Sequence, residues 1–359
     1  METKINSPAS MPSSHILVTG GAGYIGSQMV LALLDAGQRP VVLDNMSTGV
    51  ASAVPKGVPL YEGDCGNQQL VSEIIRSHAV RAIVHFAGSI VVPDSVVDPL
   101  GYYLNNTVNS RALIAAAIGA GIQTFIFSST AAVYGEPTVV PISESAPLQP
   151  ISPYGSSKLM TEIMLRDAAR AHELRYVALR YFNVAGADSH NRTGQSSARA
   201  THLIKVACQA ALGERPYLSV YGDDYPTADG TCERDYIHVA DLAAAHMRAL
   251  DYLSGGGESM AINCGYGRGY SVLEVIAAVK HVSGRDFEVR HESRRAGDPP
   301  SLVAAVNRVK DVLGWRPVFD DLNTIVAHAL AWETRLRDIR QHRFARDSSS
   351  RATQPLSAR

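Results

Sequence analysis

Short, almost wholly apolar runs alternate along this chain with longer stretches in which apolar residues recur every three or four positions. The short runs predict strands at 15–20, 40–45, 58–64, 82–88, 124–129 and 176–184. Runs such as Ile16-Leu17-Val18 and Ile83-Val84-His85-Phe86 are apolar on both faces of a strand, which suits a parallel sheet covered on each side by helices. Helical periodicity predicts helices over 27–36, 68–77 and 100–120 between them. This order predicts an α/β fold over 15–185, a doubly wound parallel sheet.

The texture changes after residue 185. Residues 186–235 are rich in Gly, Asp, Pro and Thr, with one predicted helix near 203–212. Residues 240–253 and 272–283 read as helices, and 284–320 as short strands and loops. The expectation is a smaller C-terminal α/β region, 186–343, which closes over the first domain and returns some chain to it. Residues 1–14 are polar, with Pro and Ser, and read as a flexible leader. Residues 344–359, rich in Ser, Arg and Ala, read as a disordered tail. No internal repeat is visible.

Composition narrows the partners. With 46% hydrophobic residues among 359, the chain can bury a large core, and a net charge of −1 offers no basic surface for nucleic acid. No apolar stretch reaches the roughly 18 residues of a membrane helix. The N-terminus lacks the basic and apolar regions of a signal peptide. Cys65, Cys208, Cys232 and Cys264 form no CxxC pair and match no metal or disulfide spacing, so reduced thiols in a cytoplasmic protein are expected, with no metal.

The first candidate chemistry lies at 16–26. A strand runs into a turn with Gly20, Gly23 and Gly26 and then into a helix. Gly20 allows the tight turn, Gly23 lets backbone approach a pyrophosphate, and Gly26 permits close helix–strand packing. The helix N-terminus then meets phosphate with free N–H groups. Asp44 closes the next strand, where a carboxylate accepts from ribose hydroxyls and repels a 2′-phosphate, so the expected cofactor is NAD rather than NADP. Asp64 follows the third strand and can meet an adenine amino group. The small residues of Phe86-Ala87-Gly88 let a cofactor pass close to the fourth.

The second candidate is Tyr154 with Lys158, which share a face if 154–158 is helical. A free Tyr, with a pKa near about 10, is a poor base at neutral pH. A neighbouring ammonium and a cationic nicotinamide are expected to favour its phenolate. Ser128-Ser129-Thr130 ends the fifth strand at the edge where such sheets bind ligands. Thr130 is expected to bond the reacting hydroxyl and share its proton with Tyr154. A hydroxyl satisfying local backbone suits Ser128 and Ser129 better.

The glycine turn, the strand-end hydroxyl and Tyr-x-x-x-Lys together resemble the extended branch of the short-chain dehydrogenase/reductase superfamily, over about residues 14–340. The resemblance implies a Rossmann domain with a smaller nucleotide-sugar domain, and a homodimer built on a bundle that includes the Tyr154–Lys158 helix. Within that branch, 4,6-dehydratases carry Asp-Glu directly after the Thr, because water elimination needs an acid and a base. Here Ala131-Ala132 stand there. Several stretches are similar to the 4-epimerases: 86–88, Tyr102-Tyr103-Leu104-Asn105-Asn106, 179–187, 221–227 with Asp229-Gly230-Thr231, 234–239 and 295–298.

This resemblance implies reversible hydride transfer from C4 of a UDP-sugar to NAD through a 4-keto intermediate, interconverting UDP-glucose and UDP-galactose. Residue by residue, it adds Tyr24, Ile25, Asn45, Cys65, Asn105, Ser128 and Tyr181 to the cofactor site, and Phe182, Asn183, Leu203 and Tyr221 to the substrate site. Arg234 and Arg295 are expected to clamp the diphosphate, where a planar guanidinium suits two oxygens, and Asp298 to accept from the uridine ribose. Three positions depart from the best-known members. Ser89-Ile90 removes a cation beside the cofactor phosphates, which implies looser NAD binding. His202 stands where Asn is common beside the diphosphate. Leu302 stands where a large Tyr excludes N-acetyl sugars in some members and smaller residues admit them in others; leucine is intermediate, and because the C4 chemistry is the same for each, UDP-xylose/arabinose and N-acetylhexosamines stay open. A nucleotide-sugar dehydratase or reductase, and a non-catalytic NAD-sensing scaffold, are the competing readings.

Overall fold

The computed structural model describes residues 14–197, 201–295 and 298–352, with side chains as far as 342. Its centre is a seven-stranded parallel sheet. In chain order the first six strands are β1 (His15–Thr19), β2 (Arg39–Asp44), β3 (Leu60–Glu62), β4 (Ala82–His85), β5 (Thr124–Ser128) and β6 (Arg175–Tyr181). The seventh, Met260–Cys264, comes back from the C-terminal half, so the sheet reads Met260–Cys264, β6, β5, β4, β1, β2, β3. The order reverses between β1 and β4. That switch point opens a crevice at the strands' C-terminal ends, where Gly20 and Phe86 emerge.

Burial explains the continuous apolar runs. β2, β4 and β5 are buried almost throughout. One face packs on the helices Tyr24–Asp35 and Val239–Ser254, through Met29, Val30, Leu33 and Leu242. The other packs on Gln68–Ser77, Asn109–Gly119 and Pro153–Ala171, through Val71, Ile74, Leu113 and Leu165. A third cluster holds the C-terminal region, with Ile204, Val275 and Ile325 from three different helices.

Several boundaries differ from expectation. The run 176–184 is not one strand: β6 ends at Tyr181, and Asn183–Ala185 pairs instead with Tyr236–His238 in a separate two-stranded sheet. Phe182 is thus the point where the chain leaves the nucleotide sheet for the second region. The predicted helix 100–120 is three pieces: Pro99–Tyr102, a π-helical turn Tyr103–Val108, and Asn109–Gly119. Beyond 320, helix Leu322–Ala352 replaces the first part of the expected disordered tail. Residues 344–352 contain neither Gly nor Pro to stop it; residues 353–359 lie outside the described residues, as does the leader up to residue 13. Among the described residues no helix is long and apolar enough to cross a membrane.

Candidate active site

The glycine turn is built by contact as much as by conformation. Gly20 has φ of +70°, and a Cβ there would stand 2.7 Å from the Ala87 nitrogen. A Cβ at Gly26 would stand 2.1 Å from the Gly20 carbonyl oxygen, so only glycine lets the helix start this close. At Gly23 a Cβ would meet only the Gly20 oxygen, at 3.2 Å, and the outer side of the turn is open. The helix Tyr24–Asp35 begins with no side-chain cap and no acid in its first turn. Its N-terminal N–H groups and dipole therefore face the crevice uncompensated, as a diphosphate requires.

Asp44 sits behind this turn, 6% exposed. Its two carboxylate oxygens accept from the Ala22 and Met46 N–H groups, each at 2.9 Å. Each oxygen keeps capacity for a hydroxyl donor. Gly49 crowds the same carboxylate, since a Cβ would lie 2.8 Å from it. Asn45 donates to Asp64 at 3.5 Å, and Asp64 accepts from the Gly66 N–H at 2.7 Å. Cys65 is buried, which pushes its thiol up to about 12. The Tyr24 hydroxyl is already used, donating to the Gly186 carbonyl at 2.7 Å, while Ile25 packs against the core. The cradle fits a dinucleotide: an open glycine turn, free helix N–H groups and a buried carboxylate at the second strand's end.

Phe86, Ala87 and Gly88 line the far side. Gly88 lies so close to Asn106 and Lys158 that a Cβ would meet Asn106 Oδ1 at 3.0 Å and Lys158 Nζ at 3.6 Å. Asn105 donates to the Ser89 hydroxyl at 2.8 Å. The neighbouring Asn106, absent from the sequence-derived set, does more. Its side chain accepts from the Ser89 N–H and donates to the Ser89 carbonyl and the Ser157 hydroxyl, at 2.7, 2.9 and 3.0 Å. It lies within the π-helical turn Tyr103–Val108.

The helix Pro153–Ala171 starts at a Ser152 cap, whose hydroxyl accepts from the Gly155 N–H at 3.2 Å, with Pro153 in its first turn. Tyr154 and Lys158 face inward from it, 7% and 3% exposed. Burial raises the Tyr154 pKa; a hydrogen bond with Thr130 opposes that, and nearby Tyr102 adds to the rise. Among the described residues no hydrogen bond joins the Lys158 ammonium to the Tyr154 hydroxyl. Lys158 instead donates to the Ser128 carbonyl at 3.0 Å and lies over the Phe127 ring. Burial pulls its pKa down to about 8.

Neither serine serves local backbone as expected. The Ser128 hydroxyl bonds the Tyr181 hydroxyl, and the Ser129 hydroxyl donates to Glu162. Their strand-end position turns both inward, toward polar groups that the sequence alone does not place. Burial raises the Tyr181 pKa.

On the substrate side, Phe182 is buried, and the Asn183 N–H donates to the Asp235 carbonyl at 2.9 Å. Arg234 and Asp298 are brought together, bonded at 2.8 Å. Leu302 pairs with Arg234 in register, which sets the two side by side. Arg295 is exposed and stacks on Tyr221, 3.7 Å from its ring centre. His202 bonds Gln195 at 2.7 Å, and burial lowers its pKa. Leu203 opens the helix Leu203–Ala211, and residues 198–200 before them lie outside the described residues. Asp235 is fully buried, accepts from the Tyr266, Gly267 and Ala304 N–H groups, and has its pKa pushed up to about 6 by burial. No group of His, Cys, Asp and Glu able to hold a metal ion occurs among the described residues.

Comparison with known proteins gives one answer. A family profile described as the NAD dependent epimerase/dehydratase family matches residues 16–265. A UDP-glucose 4-epimerase of Azospirillum brasilense is 59% identical over 324 residues, covering 90% of this chain and 93% of that one. Among solved structures, a UDP-glucose 4-epimerase from Brucella ovis in complex with NAD superposes with a TM-score of 0.86 at 46% identity, covering 89% of this chain and 98% of its own. The UDP-Glc/GlcNAc 4-epimerase from Campylobacter jejuni does so with a TM-score of 0.79 at 48% identity, covering 90% and 99%.

Proposed function

The chain belongs to the NAD dependent epimerase/dehydratase family, and we propose that it is an isomerase that interconverts UDP-glucose and UDP-galactose by reversible hydride transfer at C4. One observation carries this reading. Tyr154 is buried at the C-terminal edge of the sheet, Thr130 favours its ionised form while also accepting from the Ala132 N–H at 3.2 Å, and two alanines follow Thr130 where an eliminating enzyme needs an acid and a base. Neither alanine can move a second proton.

Tyr154 takes the C4 hydroxyl proton, directly or through Thr130. When bound, NAD supplies the hydride acceptor and a positive ring that favours the Tyr154 phenolate. The glycine turn and the helix N-terminus hold the cofactor's diphosphate, and Asp44 its ribose. Lys158 uses one N–H on Ser128 and keeps two for the cofactor. Arg234 and Arg295 take the substrate diphosphate and Asp298 the uridine ribose, so the Arg234–Asp298 pair opens when substrate arrives. The test is conversion of UDP-galactose to UDP-glucose by Tyr154→Phe. Loss of turnover with NAD still bound supports the base assignment, and wild-type turnover removes it.

A second substrate class, the N-acetylhexosamines, is favoured by Leu302. Its side chain stands beside Arg234 and is smaller than a tyrosine, and the 48% identical Campylobacter jejuni neighbour is named for both Glc and GlcNAc.

The helices around Tyr154 leave Val96, Val97, Leu100, Leu104, Val108 and Ile163 exposed. So many exposed apolar side chains on the catalytic helix and the helices packed near it suit a homodimer. Light scattering giving the mass of two chains supports it, and that of one chain removes it. Four buried free thiols fit a reducing, cytoplasmic setting.

A further inference from the structure

Beneath the catalytic pair lies a buried charge network that the reaction as written does not use. Arg180, near the end of β6, donates through Nε to both carboxylate oxygens of Glu162 at 3.0 and 3.2 Å, and through a terminal nitrogen at 2.6 Å. Its other terminal nitrogen donates to the Tyr134 hydroxyl at 3.1 Å. Both side chains of the pair are 6% exposed. The Glu162 carboxylate also accepts from the Ser129 hydroxyl, and Ser129 is fully buried. Tyr134 continues the chain to Asn263 at 2.7 Å, and Asn263 to the Ile142 carbonyl at 2.8 Å.

A buried ion pair is a weak device for stability, because desolvation consumes most of its Coulomb attraction. What this one does is join three segments. Glu162 lies on the helix of Tyr154 and Lys158, one turn beyond Lys158 and on the same face. Ser129 is the residue before Thr130. Arg180 is the residue before Tyr181, whose hydroxyl bonds Ser128. The segments carrying Tyr154, Thr130 and Tyr181 are therefore tied to one carboxylate, while Tyr102 stands on a fourth segment outside it.

We propose that Glu162, held by Arg180, is a positioning residue that sets Thr130 against Tyr154 through its hydrogen bond from Ser129. The inference rests on Tyr154 being the base. Three groups bear on that phenol from the elements around it, Thr130 from beyond the end of β5, Tyr102 from its own short helix and Tyr181 from β6, while Lys158, one turn along the phenol's own helix, is turned to the Ser128 carbonyl. Among them Thr130 favours the phenolate by its hydrogen bond, while Tyr102 opposes it. If Thr130 drifts, the phenol is harder to ionise, and the rising limb of kcat against pH moves up.

The test uses Ser129→Ala, which cuts the link and leaves the ion pair, and Glu162→Asp, which shortens it. Both are assayed as NAD-loaded full chain, beside Tyr154→Phe. The expected result for Ser129→Ala is a kcat roughly 10- to 100-fold down, with KM for the UDP-sugar unchanged and the rising limb shifted to higher pH. Glu162→Asp is expected to move the same way. If Glu162→Asp does not fold, Ser129→Ala decides alone. A lower melting temperature with wild-type kcat and pH profile, or a loss of kcat without movement of the limb, overturns the proposal. Wild-type Ser129→Ala beside inactive Tyr154→Phe removes this inference only, whereas an active Tyr154→Phe removes the base assignment itself.

Discussion

Lys158→Met is expected to make the protein more stable and inactive. Lys158 is 3% exposed, and among the described residues no carboxylate bonds its ammonium. Burial pulls its pKa from 10.5 to about 8. At about 1.36 kcal/mol per tenfold change in proton affinity, keeping the ammonium in place at neutral pH costs the fold roughly 3 kcal/mol. Methionine has nearly the same length and carries no charge. It gives up the hydrogen bond to Ser128, worth about 1 kcal/mol net, which leaves a gain of about 2 kcal/mol. For a chain of 359 residues the unfolding entropy is on the order of 0.7 kcal/mol/K, so the melting temperature rises by about 3 °C at pH 7.

The pH dependence has a definite sign. Below about pH 8 the lysine is charged both folded and unfolded, and the fold bears the full cost. Between about pH 8 and 10.5 the folded amine is neutral while the unfolded one still binds its proton, so the cost shrinks. Above 10.5 it is gone. Thermal melts of cofactor-free wild type and variant at several pH values check this. A variant less stable than wild type at pH 7, or a difference that does not narrow as pH rises through that window, refutes the reasoning.

Other substitutions probe the rest of the site. Gly26→Ala puts a methyl group 2.1 Å from the Gly20 carbonyl oxygen, and is expected to abolish NAD retention, read by the nucleotide released on denaturation. Asp44→Ala removes the acceptor for ribose and the bond to the Ala22 N–H, and is expected to weaken NAD at least tenfold while narrowing its advantage over NADP, measured by fluorescence titration. Leu302→Tyr, beside Arg234, is expected to cut turnover of UDP-N-acetylglucosamine far more than that of UDP-glucose, in parallel assays of the two sugars.

Much of the fold was legible because its strands are buried on both faces. That burial makes β1, β2, β4 and β5 continuous apolar runs that no surface element imitates. The helix Gln68–Ser77 was equally plain, with its apolar side on the core and Asn67 capping it. The break at Phe182 was not. Alternation shows which residues face inward but not which strand a backbone N–H pairs with, so a run that changes sheets looks like one strand. The π-helical turn was hidden for a related reason, since six residues are too few to separate its period from an α-helix's.

In the site, the glycine turn, Asp44, Thr130, Tyr154 and Lys158 announced themselves by local pattern. Asn106, Glu162 and Arg180 did not, because each is an ordinary polar residue in its own segment and acquires meaning only from partners 17 to 51 residues away. The direction of the Tyr154 pKa also needed the structure. The sequence places a cation nearby, but it is the fold that makes burial dominate and turns the cation to Ser128.

Incubating the NAD-loaded protein with UDP-galactose, with product separation and absorbance at 340 nm followed together, tests the central claim most directly. The account predicts UDP-glucose as product, with no change of mass and no net accumulation or consumption of NADH. Loss of water from the sugar, or a stoichiometric change in NADH, would contradict it.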